Sequence, residues 1–431
     1  MGLFEWVRRW FRSEKPKHQP ERGVDRPVSA RSPGEPRWRL HRKIKLAALR
    51  YRQPSIAGRT TEVPADAPRP YRFARPTPRN GSWLDFSQDE NLSRLERFQL
   101  PGFRNPEELA HWLGIPLGQL AWLVHRFDED QKPADESAAH YCYRWILKRV
   151  GGKRLIEAPK PKLKRVQRRI HEDILNRIAP HPAAHGFVTG RSILTNASPH
   201  VGQRIVVKLD LENFYPSVSL NRVVAIFRSL GYSREAAIWL GRLTTAMLPA
   251  SLARDSKLNS ELHPYLGRRL PQGAPTSPAL ANLSAFPLDL RLSGLARSFG
   301  VQYTRYADDL TFSGGERFLK SLAVFLPLVG QIVRSERFSL NFRKRKIIRN
   351  NQRQTVTGVV VNTRTNIARR DYDRLKAILT NCIRRGPSTQ NHARHENFAA
   401  HLLGRIAHVT QLNPARGNRL RTLYQQIDWN N

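Results

Sequence analysis

"VQYTRYADDLTFSGG" (residues 301–315) sets two adjacent carboxylates, Asp308 and Asp309, between β-branched and aromatic residues. Apolar residues recur at short spacing on either side, and the pattern predicts strand–turn–strand with the acidic pair at the tip. Asp is common in turns for local reasons, so the pair alone proves nothing. A third carboxylate changes its meaning. "RIVVKLDLENFY" (204–215) is a β-rich run in which Asp210 closes a strand of apolar or aliphatic-stemmed residues. If the two segments are neighbouring strands, Asp210, Asp308 and Asp309 meet at one sheet edge.

Three converging carboxylates repel one another and raise their own pKa values unless a cation compensates. Mg²⁺ is held by oxygen ligands of this kind. Nucleotidyl transfer uses two such ions about 3.5–4 Å apart, one at the attacking hydroxyl and one at the leaving pyrophosphate. Composition points the same way. The 431-residue chain carries 73 Lys and Arg against 35 Asp and Glu, a formal charge of +38. Such an excess suits a polyanionic partner, nucleic acid before a membrane surface. Cys142 and Cys382 are the only cysteines; no zinc ribbon or disulfide framework is readable, which fits a reducing, cytoplasmic setting. No run reaches the roughly 18 apolar residues of a membrane span, so no transmembrane segment is expected.

The texture changes along the chain. Residues 1–80 hold 20 Lys and Arg, 7 acidic residues and 11 of the 30 prolines. Residues 1–82 therefore read as a basic, Pro-rich extension, largely disordered. Two pieces stand out within it: the amphipathic "MGLFEWVRRWFR" (1–12), and "RWRLHRKIKLAALRYR" (37–52), which could turn helical against RNA. Next, "NPEELAHWLGIPLGQLAWLVHRF" (105–127) predicts two short helices broken at Gly114 and Pro116. "HYCYRWILKRVGGKRLIEAP" (140–159) predicts a hairpin at Gly151-Gly152, and "KLKRVQRRIHEDILNRI" (162–178) a basic helix with one apolar stripe.

Farther on, 222–232 and 234–248 read as helices, 275–296 as a loop feeding one long helix, and 322–338 as a helix. Residues 355–362 read as a strand and 370–427 as three helices. Strands and helices are segregated rather than strictly alternating, which argues α+β. "HARHENFAAH" (392–401) brings His392, His395 and His401 together but forms no carboxylate–His pattern of a zinc class.

The acidic motifs keep ordered company. "GGKRLIEAPKPKLKRVQRRI" (151–170), "LDLENFYPSV" (209–218), "LPQGAPTSPALAN" (270–282), "YADD" (306–309) and "SLNFRKRKI" (339–347) resemble the successive motifs of reverse transcriptases. "NASPH" (196–200) and "VTG" (356–358) resemble the signatures of the bacterial retron branch, as do "AHGFVTGRSILTNA" (184–197) and the tail "GRIAHVTQLNPARGNRL" (404–420). The resemblance implies a right-hand polymerase with fingers, a palm of antiparallel sheet plus helices, and a helical thumb. N-terminal helices and fingers would occupy 83–203, the palm 204–362 and the thumb 363–431.

It also implies roles. Asp210, Asp308 and Asp309 would be catalytic and hold two Mg²⁺ ions (Mn²⁺ as a substitute), with the Leu211 carbonyl as a further ligand. Lys344 would give a proton to pyrophosphate. Lys153 and Arg154 would neutralise the triphosphate, Tyr215 would exclude a 2′-hydroxyl, and Gln272 and Gly273 would line the nucleotide pocket. Asn196 and His200, with Val356, Thr357 and Gly358, would contact RNA. The implied partners are dNTPs, a cognate structured non-coding RNA serving as template and primer, its branched DNA product, and an effector or toxin protein in phage defence. A group II intron-like or other defence-associated reverse transcriptase stays open, as does a catalytically silent RNA-binding scaffold.

Overall fold

Asp210 and Asp309 lie directly opposite each other in the central sheet of the protein, whose structure is a computed structural model. It describes residues 61–64, 67–77, 82–126, 132–148, 151–253 and 262–429, all within a compact unit of residues 51–431. The sequence features at 1–12 and 37–52 lie outside the described residues.

Three short strands come first: β1 (Thr61–Val63), β2 (Arg75–Pro76) and β3 (Trp83–Asp85), ordered β1-β3-β2. This sheet crosses the boundary expected at residue 82, so the packed part of the chain begins earlier than predicted. The cause is local. The Tyr71 side chain is buried, its hydroxyl accepts from the Phe86 amide, and Arg69 lies 4.3 Å over the Trp83 ring.

Next come α1 (Leu92–Arg97), α2 (Pro106–Leu113) and α3 (Leu117–Leu123), the break between α2 and α3 lying at Gly114 and Pro116 as the sequence indicates. The hairpin of β4 (Tyr141–Leu147) and β5 (Lys153–Pro159) and the helix α4 (Pro161–Asp173) also follow the prediction. α4 buries Leu163, Val166 and Ile170 and leaves its basic residues outside.

The central sheet is built from β6 (Ile205–Asp210), β7 (Gln302–Tyr306), β8 (Asp309–Gly314) and β9 (Lys346–Arg349), ordered β7-β8-β6-β9 with every pairing antiparallel. Alternation sets Ile205, Val207 and Leu209 on one face of β6 and Val206, Lys208 and Asp210 on the other. Ile205, Val207 and Leu209 join the main core with Phe312, Phe325 and Leu292. Val206 points the other way, into a smaller cluster with Ala197, Val356, Val359, Val361 and Leu412.

The intervening helices are α5 (Ile193–Ala197), α6 (Leu220–Leu230), α7 (Arg234–Thr244), α8 (Ser277–Ser284), α9 (Phe286–Ser298) and α10 (Glu316–Ser335). The long helix expected over 275–296 is thus two, α8 and α9. Pro287 sits in the first turn of the second, where its missing N–H is tolerated, but it cannot continue the first. By length and composition alone α10 would pass for a membrane span, the one such helix among the described residues. It is a core helix: Phe318, Phe325, Val329, Ile332 and Val333 are buried.

Residues 355–362 also differ from the sequence expectation. They form not one strand but a tight hairpin, β10 (Thr355–Val356) and β11 (Val359–Val360). Thr357 (φ 46°) and Gly358 (φ 85°) both adopt the positive φ that a two-residue turn of this twist requires. The chain closes with α11 (Arg369–Arg385), α12 (Phe398–Leu412) and α13 (Pro414–Gln425). They share a separate core of Leu375, Leu379, Leu402, Ile406, Val409 and Leu420.

Candidate active site

The end of the β6–β8 pair gathers the three carboxylates. Asp210 is the last residue of β6, Asp309 the first of β8, and Asp308 occupies the turn after Ala307 (φ 55°). The turn is fastened to β6, since the Leu211 amide donates to the Asp308 carbonyl at 2.8 Å. The following segment is fastened to the same place: the Asn341 amide donates to the Asp210 carbonyl at 2.8 Å, and the Glu212 amide to the Ser339 carbonyl at 2.8 Å. That brings Lys344 to the carboxylates. Its ammonium lies 2.8 Å and 3.0 Å from the two oxygens of Asp210.

Burial, then the charges of Asp309 and Asp210, push the Asp308 carboxyl up to about 6, with Lys344 pulling the other way. Burial raises Asp309 too; the Lys208 charge opposes this and Asp210 adds to it. The three groups therefore strain against one another electrostatically. As they stand, no three acidic, His or Cys side chains among the described residues gather into a ready metal cage. The donor chemistry nonetheless fits a hard divalent cation: the set is all carboxylate oxygen, close enough to raise its own proton affinity, and one member already holds a cation, Lys344.

What positions the turn is a residue that sequence reading passed over. Arg305 is fully buried, and its guanidinium makes a two-point contact with Asp289 of α9 at 2.8 Å and 2.6 Å. The same group donates to the Ala307 carbonyl at 3.0 Å and to Asn282 Oδ1 of α8 at 2.9 Å, and Tyr303 donates to Asp289 at 2.8 Å. One cation thus ties the acidic turn to two helices. Its rigid planar fork is what makes four simultaneous contacts feasible.

On the substrate side the structure brings some predicted residues together and separates others. Burial and the nearby Asp308 charge lift the Tyr215 phenol above its usual range, opposed by Arg154 and Arg305. Tyr215 is thus within electrostatic reach of both Asp308 and Arg154. Lys153 precedes Arg154 on the same strand, so it points to the opposite face; it is exposed at the outer end of the hairpin, opposite Leu147. The loop carrying Gln272 and Gly273 docks on β5, where the Glu157 amide donates to the Gln272 carbonyl at 2.8 Å. Gly273 has φ 135°, and a Cβ there would come 2.9 Å from the Glu157 carbonyl oxygen, so only glycine lets the loop sit this close. Glu157 is itself buried, which pushes its carboxyl up to about 8.

The expected RNA contacts need correction. His200 is fully buried, with Nδ1 2.6 Å from Ser313 Oγ and Nε2 2.8 Å from Thr304 Oγ1. Burial, helped by His185, depresses its pKa to about 3. Asn196 is 1 % exposed and donates to Thr357 Oγ1 at 3.4 Å, while Thr357 donates to the Ile193 carbonyl at 3.2 Å. Val356 is buried as well. The two signatures therefore grip each other behind the sheet, and Asn196, His200 and Val356 are not free to touch RNA. Gly358 is exposed and Thr357 half-buried. The His395 and His401 rings stack with their centres 3.9 Å apart.

Comparison with known proteins agrees with this geometry. Residues 146–361 match the family described as reverse transcriptase (RNA-dependent DNA polymerase). The retron Mx65 reverse transcriptase of Myxococcus xanthus is 40 % identical over 347 residues, covering 79 % of this chain and 76 % of that protein. The retron Mx162 reverse transcriptase of the same organism is 37 % identical, over 72 % of this chain and 64 % of that protein. The retron Ec86 reverse transcriptase of Escherichia coli is 31 % identical, over 67 % and 81 %.

Proposed function

Because the chain belongs to the reverse transcriptase family, and within it to the retron type, it is an RNA-directed DNA polymerase, and we propose that Asp210, Asp308 and Asp309 are its catalytic carboxylates. The observation that carries this is the strand register that sets Asp210 against Asp309 with Asp308 in the adjoining turn. Two Mg²⁺ ions, with Mn²⁺ as a substitute, suit this oxygen set, and when bound would activate the attacking hydroxyl and offset charge on pyrophosphate. Asp210 and Asp308 would hold both, with Asp309 and the Leu211 carbonyl in support.

The remaining residues divide the other tasks. Lys344 lies on Asp210 and carries a positive charge; it would turn to the departing pyrophosphate as its proton donor. Arg154 would meet the triphosphate, with Lys153 joining only if the hairpin shifts. Tyr215 would close off the space a 2′-hydroxyl needs, and Gln272 and Gly273 would line the pocket. In polymerase terms, β4, β5 and α4 are the fingers, the β7-β8-β6-β9 sheet with its helices is the palm, and α11–α13 are the thumb.

The substrate we propose is a structured RNA acting as both template and primer, copied into a short, branched, 2′–5′-linked DNA in the bacterial cytoplasm. An effector protein in phage defence would complete the assembly. The +38 charge suits the polyanion. Purifying the protein with its bound nucleic acid, then treating it with RNase and debranching enzyme, tests this. A short DNA released from RNA by debranching is expected. Linear cDNA would remove the retron product, and RNA alone would indicate a silent scaffold.

A further inference from the structure

Phe187 stands at the active site in a condition that packing does not explain. The residue is 54 % exposed, and its backbone adopts the left-handed conformation, φ 62°, which bulky residues seldom take. Its ring centre lies 6.4 Å from that of Tyr215 and 6.4 Å from that of Tyr306, the residue that opens the acidic turn.

The segment beneath it is tightly held. A Cβ on Gly186 would lie 2.6 Å from the Ala307 amide nitrogen, so the backbone is pressed directly onto the acidic turn. The Gly186 carbonyl accepts from Asn282 Nδ2 at 2.9 Å, and the His185 amide donates to the Arg305 carbonyl at 2.7 Å. Asn282 also receives the Arg305 guanidinium. The network that fixes Asp308 therefore fixes Phe187.

An apolar ring that is exposed, strained and rigidly aimed beside reacting groups points to a ligand. We propose that Phe187 contacts the nucleotide being added, packing its face on that nucleotide and extending the wall that Tyr215 begins. An aromatic face stacks on any of the four bases, which a template-copying enzyme requires. The inference rests on the polymerase reading and on Tyr215 facing the incoming sugar.

Steady-state primer extension on an RNA template, with Phe187→Ala, Phe187→Tyr and Phe187→Gly, tests it. Phe187→Ala raises the KM for dNTP roughly ten-fold, the scale of one lost aromatic–base contact, and leaves the KM for template–primer unchanged. Phe187→Tyr restores the wild-type value. Phe187→Gly loses dNTP affinity like the Ala variant while its Tm equals or exceeds the wild type's, because glycine accepts φ 62°. An unchanged dNTP KM in the Ala and Gly variants, or a change confined to template–primer, overturns the proposal. If the wild type incorporates and Phe187→Ala matches it, only the Phe187 contact falls; if the wild type fails to incorporate, the polymerase reading falls with it.

Discussion

The central sheet carries two polar clusters that differ in one respect. At the β6–β8 end, Asp210, Asp308 and Asp309 are like charges whose mutual repulsion is only partly relieved by Lys208 and Lys344. Behind β7 and β8, His200, Thr304, Ser313, Asn196 and Thr357 form a neutral cluster joined by hydrogen bonds inside the protein, with Asn196 Oδ1 alone among its side-chain atoms left without a partner. The first cluster destabilises the fold and is suited to an outside cation; the second stabilises the fold. Chemistry resides where polar groups remain uncompensated, and a family signature can mark scaffolding.

The sharpest break in that contrast is Asp308→Asn. It lowers nucleotide incorporation on the order of 10³-fold or more, the scale for removing a member of a catalytic group. Its Tm in the absence of divalent metal does not fall, because one of three repelling charges is gone. A fall in Tm with full incorporation would reverse the assignment of the two clusters.

Arg305 tests the link from fold to chemistry. Arg305→Met leaves the buried Asp289 charge without its cation, with only the Tyr303 hydroxyl still donating to it, which destabilises by about 3–5 kcal/mol. Combining it with Asp289→Leu recovers most of that stability, measured by denaturant unfolding. Incorporation stays low in the double variant because the Ala307 carbonyl has lost its donor. Recovery of both properties would make the pair a structural filler only.

On the neutral side, His200→Ala removes two hydrogen bonds and opens a cavity, an expected loss of about 2–4 kcal/mol. Incorporation per folded molecule and affinity for the RNA remain at wild-type level. Weakened RNA retention with unchanged stability would restore the RNA-contact role.

The smallest effect is on pH. The His200 pKa is depressed in the folded state to about 3, so only the unfolded state gains its proton as pH falls below about 6.5. Its contribution is present above that value and declines toward pH 3 at about 1.4 kcal/mol per unit. Urea unfolding from pH 7 to pH 5 should show this decline lessened by one proton in His200→Asn.

Local pattern carried much of this into the sequence. Alternation and turn residues announced the strands around Asp210 and Asp308, and Gly151-Gly152 announced the hairpin, because each depends on neighbours in the chain. Residues 355–362 misled, since a run of β-branched residues looks continuous whether or not Thr357 and Gly358 turn it back. Arg305 was illegible for a different reason: among 73 basic residues nothing distinguishes the one that is buried, and its partners Asp289 and Asn282 come from other elements. His200 advertised polarity but not burial. Phe187 was visible only as part of a family stretch, because exposure and φ are tertiary outcomes.

The central claim is that Asp210, Asp308 and Asp309 perform RNA-directed DNA synthesis while the His200 cluster only supports them. Labelled dNTP incorporation on an RNA template, normalised to folded protein, compares the wild type, Asp308→Asn and His200→Asn directly. Incorporation should vanish in Asp308→Asn and persist in His200→Asn; persistence in the first, or loss in a fully folded second, would contradict the account.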